Sequence, residues 1–407
     1  MANIAKFKAL RPVRDKVHLV ATRPYYSYKK NVLTAKLEDN PYTFLRIINP
    51  EFGNPIRTKP NSSKRFDMVK DRYRDFIEKG ILINEESERL YLYRQSSSSN
   101  TCMGVIAGAS VEEYLQKKIK IHEATLSSRE AIFTNYLDIV GYNAEPVLLS
   151  YKGNNHTEAQ LSELIKERPE YEFTTTDKIK HELWVLSVKQ SDALQTCFKS
   201  IDEVYIADGH HRSASSAALF TEKGAQIPKS KNFLGYFVEE SQLHIMAFNR
   251  LIKSLNKLTP SDFIGKLKKI GPVTKLLKGT APKKNHVLNF YIDDLWYSLE
   301  IKHELIDTKH PVKSLDSNLL TELILKPILG IEDLKTSDEV DFLPGTFDAN
   351  SFEIELKKKK FELGFMLFPA NIQQIKAVAD EGLYMPPKST WVEPKLRSGL
   401  TIYNIHE

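Results

Sequence analysis

The run Val204-Tyr205-Ile206-Ala207-Asp208-Gly209-His210-His211-Arg212-Ser213-Ala214-Ser215-Ser216-Ala217-Ala218 carries the first decision about the fold. Val204, Tyr205 and Ile206 are β-formers in a short apolar run, Asp208-Gly209 is a turn pair, and the small residues after Arg212 suit a helix lying close on a sheet. The stretch therefore predicts a buried strand, a tight turn and a helix start. Such a turn leaves backbone N–H groups unpaired at the positive end of a helix dipole, a ready place for an anion. Arg212 can grip phosphate oxygens with both arms of its fork, and His210 and His211 can donate hydrogen bonds or protons. Asp208 can hold a cation or orient a histidine. The same residues also fit a solvated polar turn capped by Asp208, or a metal site of adjacent histidines, and their spacing is not that of a Walker loop.

Working outward, 407 residues allow two to three domains, and 41% hydrophobic content is enough for real cores. The formal charge is +6, but Lys and Arg are spread along the chain, so no nucleic-acid partner is expected. The one cluster, Lys357 to Lys360, sits among Glu353, Glu355 and Glu362 and reads as a solvated strand edge or turn. Cys102 and Cys197 are the only cysteines, which excludes a disulfide scaffold and a CxxC knuckle and fits a reducing compartment. No run reaches signal-peptide or membrane-spanning length, so no membrane partner and a cytoplasmic location are expected.

Between these limits the chain alternates strands and helices. Tyr42 to Ile48 alternates like a strand, and Lys64 to Lys79 has helical spacing of Phe66, Val69, Tyr73 and Phe76. Leu90 to Gln95 and Cys102 to Ala107 predict a hairpin over a Ser-rich tip. Ser110 with Glu113 predicts a capped helix start, Ser127 to Val140 a helix ending at Gly141, and Glu145 to Tyr151 a strand. Glu182 to Val188 predicts another strand, and Asn232 to Val238 and Leu243 to Phe248 two more that could pair around Glu239-Glu240-Ser241. Ser314 to Lys326 reads as a helix stopped by Pro327. Phe361 to Phe368 reads as a strand and Asn371 to Ala379 as a helix. The expectation is an α/β protein with a mixed sheet at its core. Its domains would be residues 1–101 (N-terminal α/β segment), 102–250 (core) and 251–407 (C-terminal α/β domain).

Two further clusters invite chemistry. The run Met385 to Leu400 has Pro386, Pro387 and Pro394, with Trp391 and Leu396 as anchors. A proline-stiffened loop loses little entropy in holding side chains in place, and Lys388, Lys395 and Arg397 with Ser389, Thr390 and Ser398 suit a phosphate or a carboxylate. A basic surface tail would look the same. Upstream, the His122-Glu123 pair, beside a helix end, sets a carboxylate that can act as a general base, although an isolated Glu is usually a surface charge.

Phe7-Lys8-Ala9-Leu10-Arg11-Pro12, Asn40-Pro41 through Pro50-Glu51, Tyr91 to Gln95, Ile206 to Arg212 and Met385 to Trp391 through Gly399 together resemble, nearly end to end, the domain of unknown function 1015 family. The turn at 208–212 is also similar to the nucleotide-phosphate turn of the ParB and sulfiredoxin superfamily, which includes free L-serine kinases that use a Glu from an upstream His-Glu pair as base. This resemblance implies a ParB/sulfiredoxin-like catalytic core and a serine kinase, with pyrophosphate as donor rather than ATP. Glu123 would deprotonate the serine hydroxyl, with His122, Ser389 and Thr390 touching the substrate. Asp208, His210 and His211 would take part in catalysis. Gly209 to Ser213 and the cationic loop would hold phosphate, and Mg2+ would sit on Asp208. The rivals are an ATP-dependent kinase or phosphatase using the same loop, and a nucleotide-sensing module without catalysis.

Overall fold

The computed structural model describes residues 3–406 and is a mixed α/β fold that clusters into two compact units. One contains residues 1–121, 125–243 and 394–407, the other residues 122–124 and 244–393. No helix among the described residues is long and apolar enough to cross a membrane.

The first unit is built on a nine-stranded mixed sheet. Its long central strands Thr101–Ser110 and Asn232–Glu239 pair antiparallel, and Tyr91–Ser96 extends the sheet from Thr101–Ser110 as the predicted hairpin. On the other side Val147–Tyr151 runs parallel to Asn232–Glu239 and carries Val204–Asp208 antiparallel on its far edge. Leu92, Val105, Ala107, Leu149, Ile206, Phe233 and Phe237 are buried together in its main core. That depth explains why these strands read as nearly continuous apolar runs rather than alternating ones. A four-stranded sheet in the same unit joins the two ends of the chain, because Ile402–Asn404 lies between Ala9–Pro12 and Tyr142–Asn143. The helices Ser63–Glu78 and Ser127–Val140 pack Phe66, Tyr73 and Val140 into a shared cluster with it.

The second unit holds a seven-stranded antiparallel sheet whose strand His244–Ile252 pairs with Val340–Pro344, Leu363–Met366 and Thr390–Glu393. Phe263, Leu288, Phe290, Leu320, Ile324 and Phe365 fill its core.

Four expectations change. Residues 42–48 form no strand: Leu45–Ile48 is a short helix with Phe44, Leu45 and Ile47 buried. Seven residues are too few for periodicity to separate the two states. The strands Asn232–Glu239 and His244–Ile252 do not pair as a hairpin, since the first pairs with Thr101–Ser110 and Val147–Tyr151. Pro327 does not stop its helix. The chain runs through Asp316–Leu320, a wider turn at Thr321–Leu325 and Lys326–Leu329, and ends at left-handed Gly330. The π-type turn accommodates the missing proline N–H and the bulk of its ring. Lys357 to Lys360 close the helix Ala349–Lys359 rather than a strand edge, where cations suit the negative end of the dipole.

Candidate functional site

In the first unit, Val204–Asp208 ends at Gly209, and the helix His210–Lys223 starts at once. Gly209 has φ 105°, a conformation other residues adopt only under strain, and a Cβ there would meet the Arg212 guanidinium at 2.7 Å. The backbone conformation is what requires glycine, since the Arg212 tip could swing aside. The helix buries its small face of Ser213, Ala214, Ser215, Ser216 and Ala217 and packs on Ser127–Val140, so its start lies tight against the body.

At this turn the charges interlock. Arg212 forms an ion pair with Glu145, and its Nη2 lies 3.8 Å from Asp208 Oδ2. Lys395, from the proline-stiffened C-terminal stretch, reaches the same Asp208 oxygen at 3.2 Å. The Ser398 hydroxyl donates to Glu145 Oε2 at 3.2 Å. Asp208 and Glu145 thus sit against Arg212 and Lys395. A phosphate entering this cluster would take over Arg212 and Lys395 from their carboxylate partners. Asp208 also suits the way magnesium is commonly held, through one or two carboxylates with phosphate oxygens supplying much of the shell. Among the described residues no group of three or more His, Cys, Asp or Glu forms a cage for a metal.

His210 is 5% exposed, and burial pushes its imidazole down to about 4 against the opposing pull of Asp208, so it is neutral near pH 7. His211 is half-buried and lies 6.5 Å, centroid to centroid, from the Phe133 ring. His210 therefore adds no positive charge near pH 7 at a turn that also carries Arg212, Lys395 and a helix terminus. The Ser213 hydroxyl is buried and donates to the His210 carbonyl at 2.9 Å.

Arg397 is buried elsewhere in this unit. Its Nη2 bridges Asp177 Oδ2 at 2.8 Å and Thr175 Oγ1 at 3.1 Å. His181 stands beside it, with its Nδ1 at 2.7 Å from the Tyr93 hydroxyl, and is pushed to about 3 by burial and then by the Arg397 charge. Of the two C-terminal cations in this unit, Lys395 reaches Asp208 at the turn and Arg397 is held by Asp177.

The second unit holds the other candidates. His122 is buried, Glu123 is half-buried, and both lie on the loop after strand Ile119–Lys120 rather than on a helix end. The His122 carbonyl accepts from Met385 N at 2.8 Å, which ties this loop to the start of the proline-rich run. Lys388 adopts φ 55° and sets its ammonium 5.1 Å from the centroid of the Phe248 ring. Ser389 donates to Pro386 O at 2.7 Å, and Thr390 opens the strand Thr390–Glu393, paired with Ala247.

Sequence reasoning passed over Glu145, Asp177 and Arg250. Arg250 is fully buried, donates to the carbonyls of Phe248 and Pro387 at 2.7 and 3.3 Å, and lies 4.7 Å over the Phe342 ring. Burial alone pulls its guanidinium down to about 9. Each of these side chains has partners distant in sequence, and an isolated Glu-Pro, Thr-Asp or Asn-Arg pair carries no local signal of them.

Comparison with known proteins adds the following. Residues 4–318 match the family described as "Protein of unknown function (DUF1015)". No curated protein matches the chain. Among solved structures it is similar to a free serine kinase in complex with AMP, at 12% identity over 74% of this chain and 91% of that one, TM-score 0.36. It is similar to SbnI with a C-terminal truncation from Staphylococcus aureus, at 13% identity over 72% and 85%, TM-score 0.39. It is also similar to a conserved hypothetical protein from Pyrococcus furiosus, at 14% identity over 74% and 95%, TM-score 0.37.

Proposed function

The chain belongs to the family described as protein of unknown function (DUF1015), and we propose that within it this protein is a phosphotransferase. It would move a phosphoryl group from pyrophosphate to the hydroxyl of free L-serine, giving O-phospho-L-serine and orthophosphate. The observation that carries this reading is the convergence of Arg212, Lys395 and the start of the helix His210–Lys223 at one strand-end turn. That arrangement binds and neutralises phosphate oxygens, and phosphoryl transfer asks little else of a protein than positioning and charge neutralisation.

In this reading Arg212 grips the transferred group bidentately and Lys395 moves from Asp208 to the donor. Gly209 lets the backbone approach the phosphate, and the helix N-terminus supplies amide donors. His210 and His211 act at the turn as hydrogen-bonding groups, His210 in its neutral form. Glu123 takes the proton of the serine hydroxyl, with His122, Ser389 and Thr390 contacting the acceptor and Lys388 the far end of the donor. Arg397, held by Asp177, fixes the C-terminal stretch that delivers Lys395. Magnesium, held by Asp208 and donor oxygens, would supply neutralisation of the phosphate charge. ATP would present the same phosphate chemistry, so the assay runs both donors. The protein is incubated with L-serine, magnesium and either pyrophosphate or ATP, and O-phosphoserine is sought by mass spectrometry. Product is expected with pyrophosphate. No product with either donor sinks the proposal and leaves a non-catalytic phosphate- or nucleotide-binding module.

A further inference from the structure

The second unit contains a small cavity of about 10 Å3, walled on one side by Asp316, Ser317, Asn285, Gln374 and Ser389 and otherwise by apolar residues such as Phe368. This is room for one water-sized group. Asp316, first residue of the helix Asp316–Leu320, is 6% exposed. Its Oδ1 accepts from His286 N at 2.8 Å, while Oδ2 is buried and, apart from the Phe368 amide that also acts on the carboxyl, is met by no donor among the described residues. The influences on the carboxyl are burial and the amides of His286 and Phe368, with no lysine or arginine among them. A buried carboxylate oxygen left in that state costs free energy.

The hydroxyls decide what the cavity takes. Ser389 Oγ donates to Pro386 O at 2.7 Å, because a carbonyl can only accept. The 2.9 Å contact between Ser317 Oγ and Ser389 Oγ must then be donated by Ser317. Both hydroxyl protons are committed, so Ser317 and, in its ionised form, Asp316 offer the cavity lone pairs. An anion is repelled there, and the matching occupant is a small donor carrying positive charge.

We propose that this cavity binds a compact monovalent cation through Asp316 Oδ2 and Ser317 Oγ, the cation being free ammonium, potassium or the ammonium head of an amino-acid ligand. Burial pushes the Asp316 carboxyl up to about 7, and a bound cation would offset that penalty. The cavity shares Ser389 with the acceptor contacts proposed above, so its ammonium-head arm rests on that reading while its free-ion arm does not.

The test reads the thermal unfolding midpoint of the full chain at equal ionic strength. Its probes are ammonium, potassium and tetramethylammonium chloride, and L-serine against 3-hydroxypropionate, which lacks the amine. A probe that binds raises the midpoint by roughly 2 °C at about ten times its dissociation constant. A rise with ammonium or potassium but not tetramethylammonium identifies a free ion. A rise with L-serine but not 3-hydroxypropionate identifies an ammonium head. In either case Asp316→Asn, which keeps the Oδ1 acceptor for His286, and Ser317→Ala are expected to lose the shift. No selective rise, or a rise undiminished in both variants, overturns the proposal and leaves the cavity to water.

Discussion

Replacing Arg212 by Lys keeps the charge and removes the fork. In the structure the guanidinium pairs with Glu145 and lies 3.8 Å from Asp208, with 26% of its side chain exposed. A partly exposed pair of this kind contributes up to about 1 kcal/mol to stability, so the variant should fold and lose only a few degrees of melting temperature. Phosphate recognition behaves differently. A charge-assisted hydrogen bond contributes about 1.5–3 kcal/mol, and an ammonium cannot reproduce the second, parallel one of a bidentate grip. Donor kcat/KM should therefore fall about 10- to 100-fold, with the KM for serine nearly unchanged. The assay is initial-rate phosphoserine formation at varied donor, with circular dichroism confirming the fold. Wild-type donor kcat/KM in a folded Arg212→Lys protein would refute the assignment of phosphate to this turn.

Three other outcomes are expected. Glu123→Gln should lower kcat by about 10^2- to 10^4-fold while donor binding, read by calorimetry, stays near wild type; unchanged turnover would remove Glu123 as the base. His210 makes stability fall in acid. The unfolded chain takes its proton near pH 6.5 and the folded chain not until about 4, so up to roughly 3 kcal/mol is lost as pH drops through that window. Denaturant titrations of wild type and His210→Gln should diverge between those values, and parallel curves would contradict a buried neutral imidazole. Asp177→Ala strands the buried Arg397 charge and should destabilise by about 2–4 kcal/mol, more than Asp177→Asn, which retains a hydrogen-bond acceptor; equal melting temperatures for the two would show that the ion pair is immaterial.

The turn was legible in the sequence because every demand on it is local. Strand propensity, a left-handed glycine and a run of small residues all fall within fifteen positions, and Val204–Asp208, Gly209 and His210–Lys223 follow in that order. The hairpin around 96–101 and the helix ending at Gly141 were readable for the same reason. What surrounds the turn was not. Glu145 lies 67 residues before its partner Arg212, and Asp177 lies 220 before Arg397. Charge pairing across such separations leaves no periodic trace. Arg397 and Lys395 looked equivalent as cations in one loop, yet one is buried on Asp177 and the other reaches Asp208, a difference set by packing rather than residue type. The π-type turn before Pro327 shows the same limit, since a proline rule predicts a break while the surrounding core of Leu320, Ile324 and Leu325 favours continuation.

The most direct test of the account is a phosphorus NMR time course of the protein with L-serine, magnesium and pyrophosphate. The pyrophosphate resonance is expected to give way to equal amounts of orthophosphate and O-phosphoserine, and the Glu123→Gln protein to leave it nearly untouched. An unchanged spectrum, or orthophosphate appearing without phosphoserine, would contradict it.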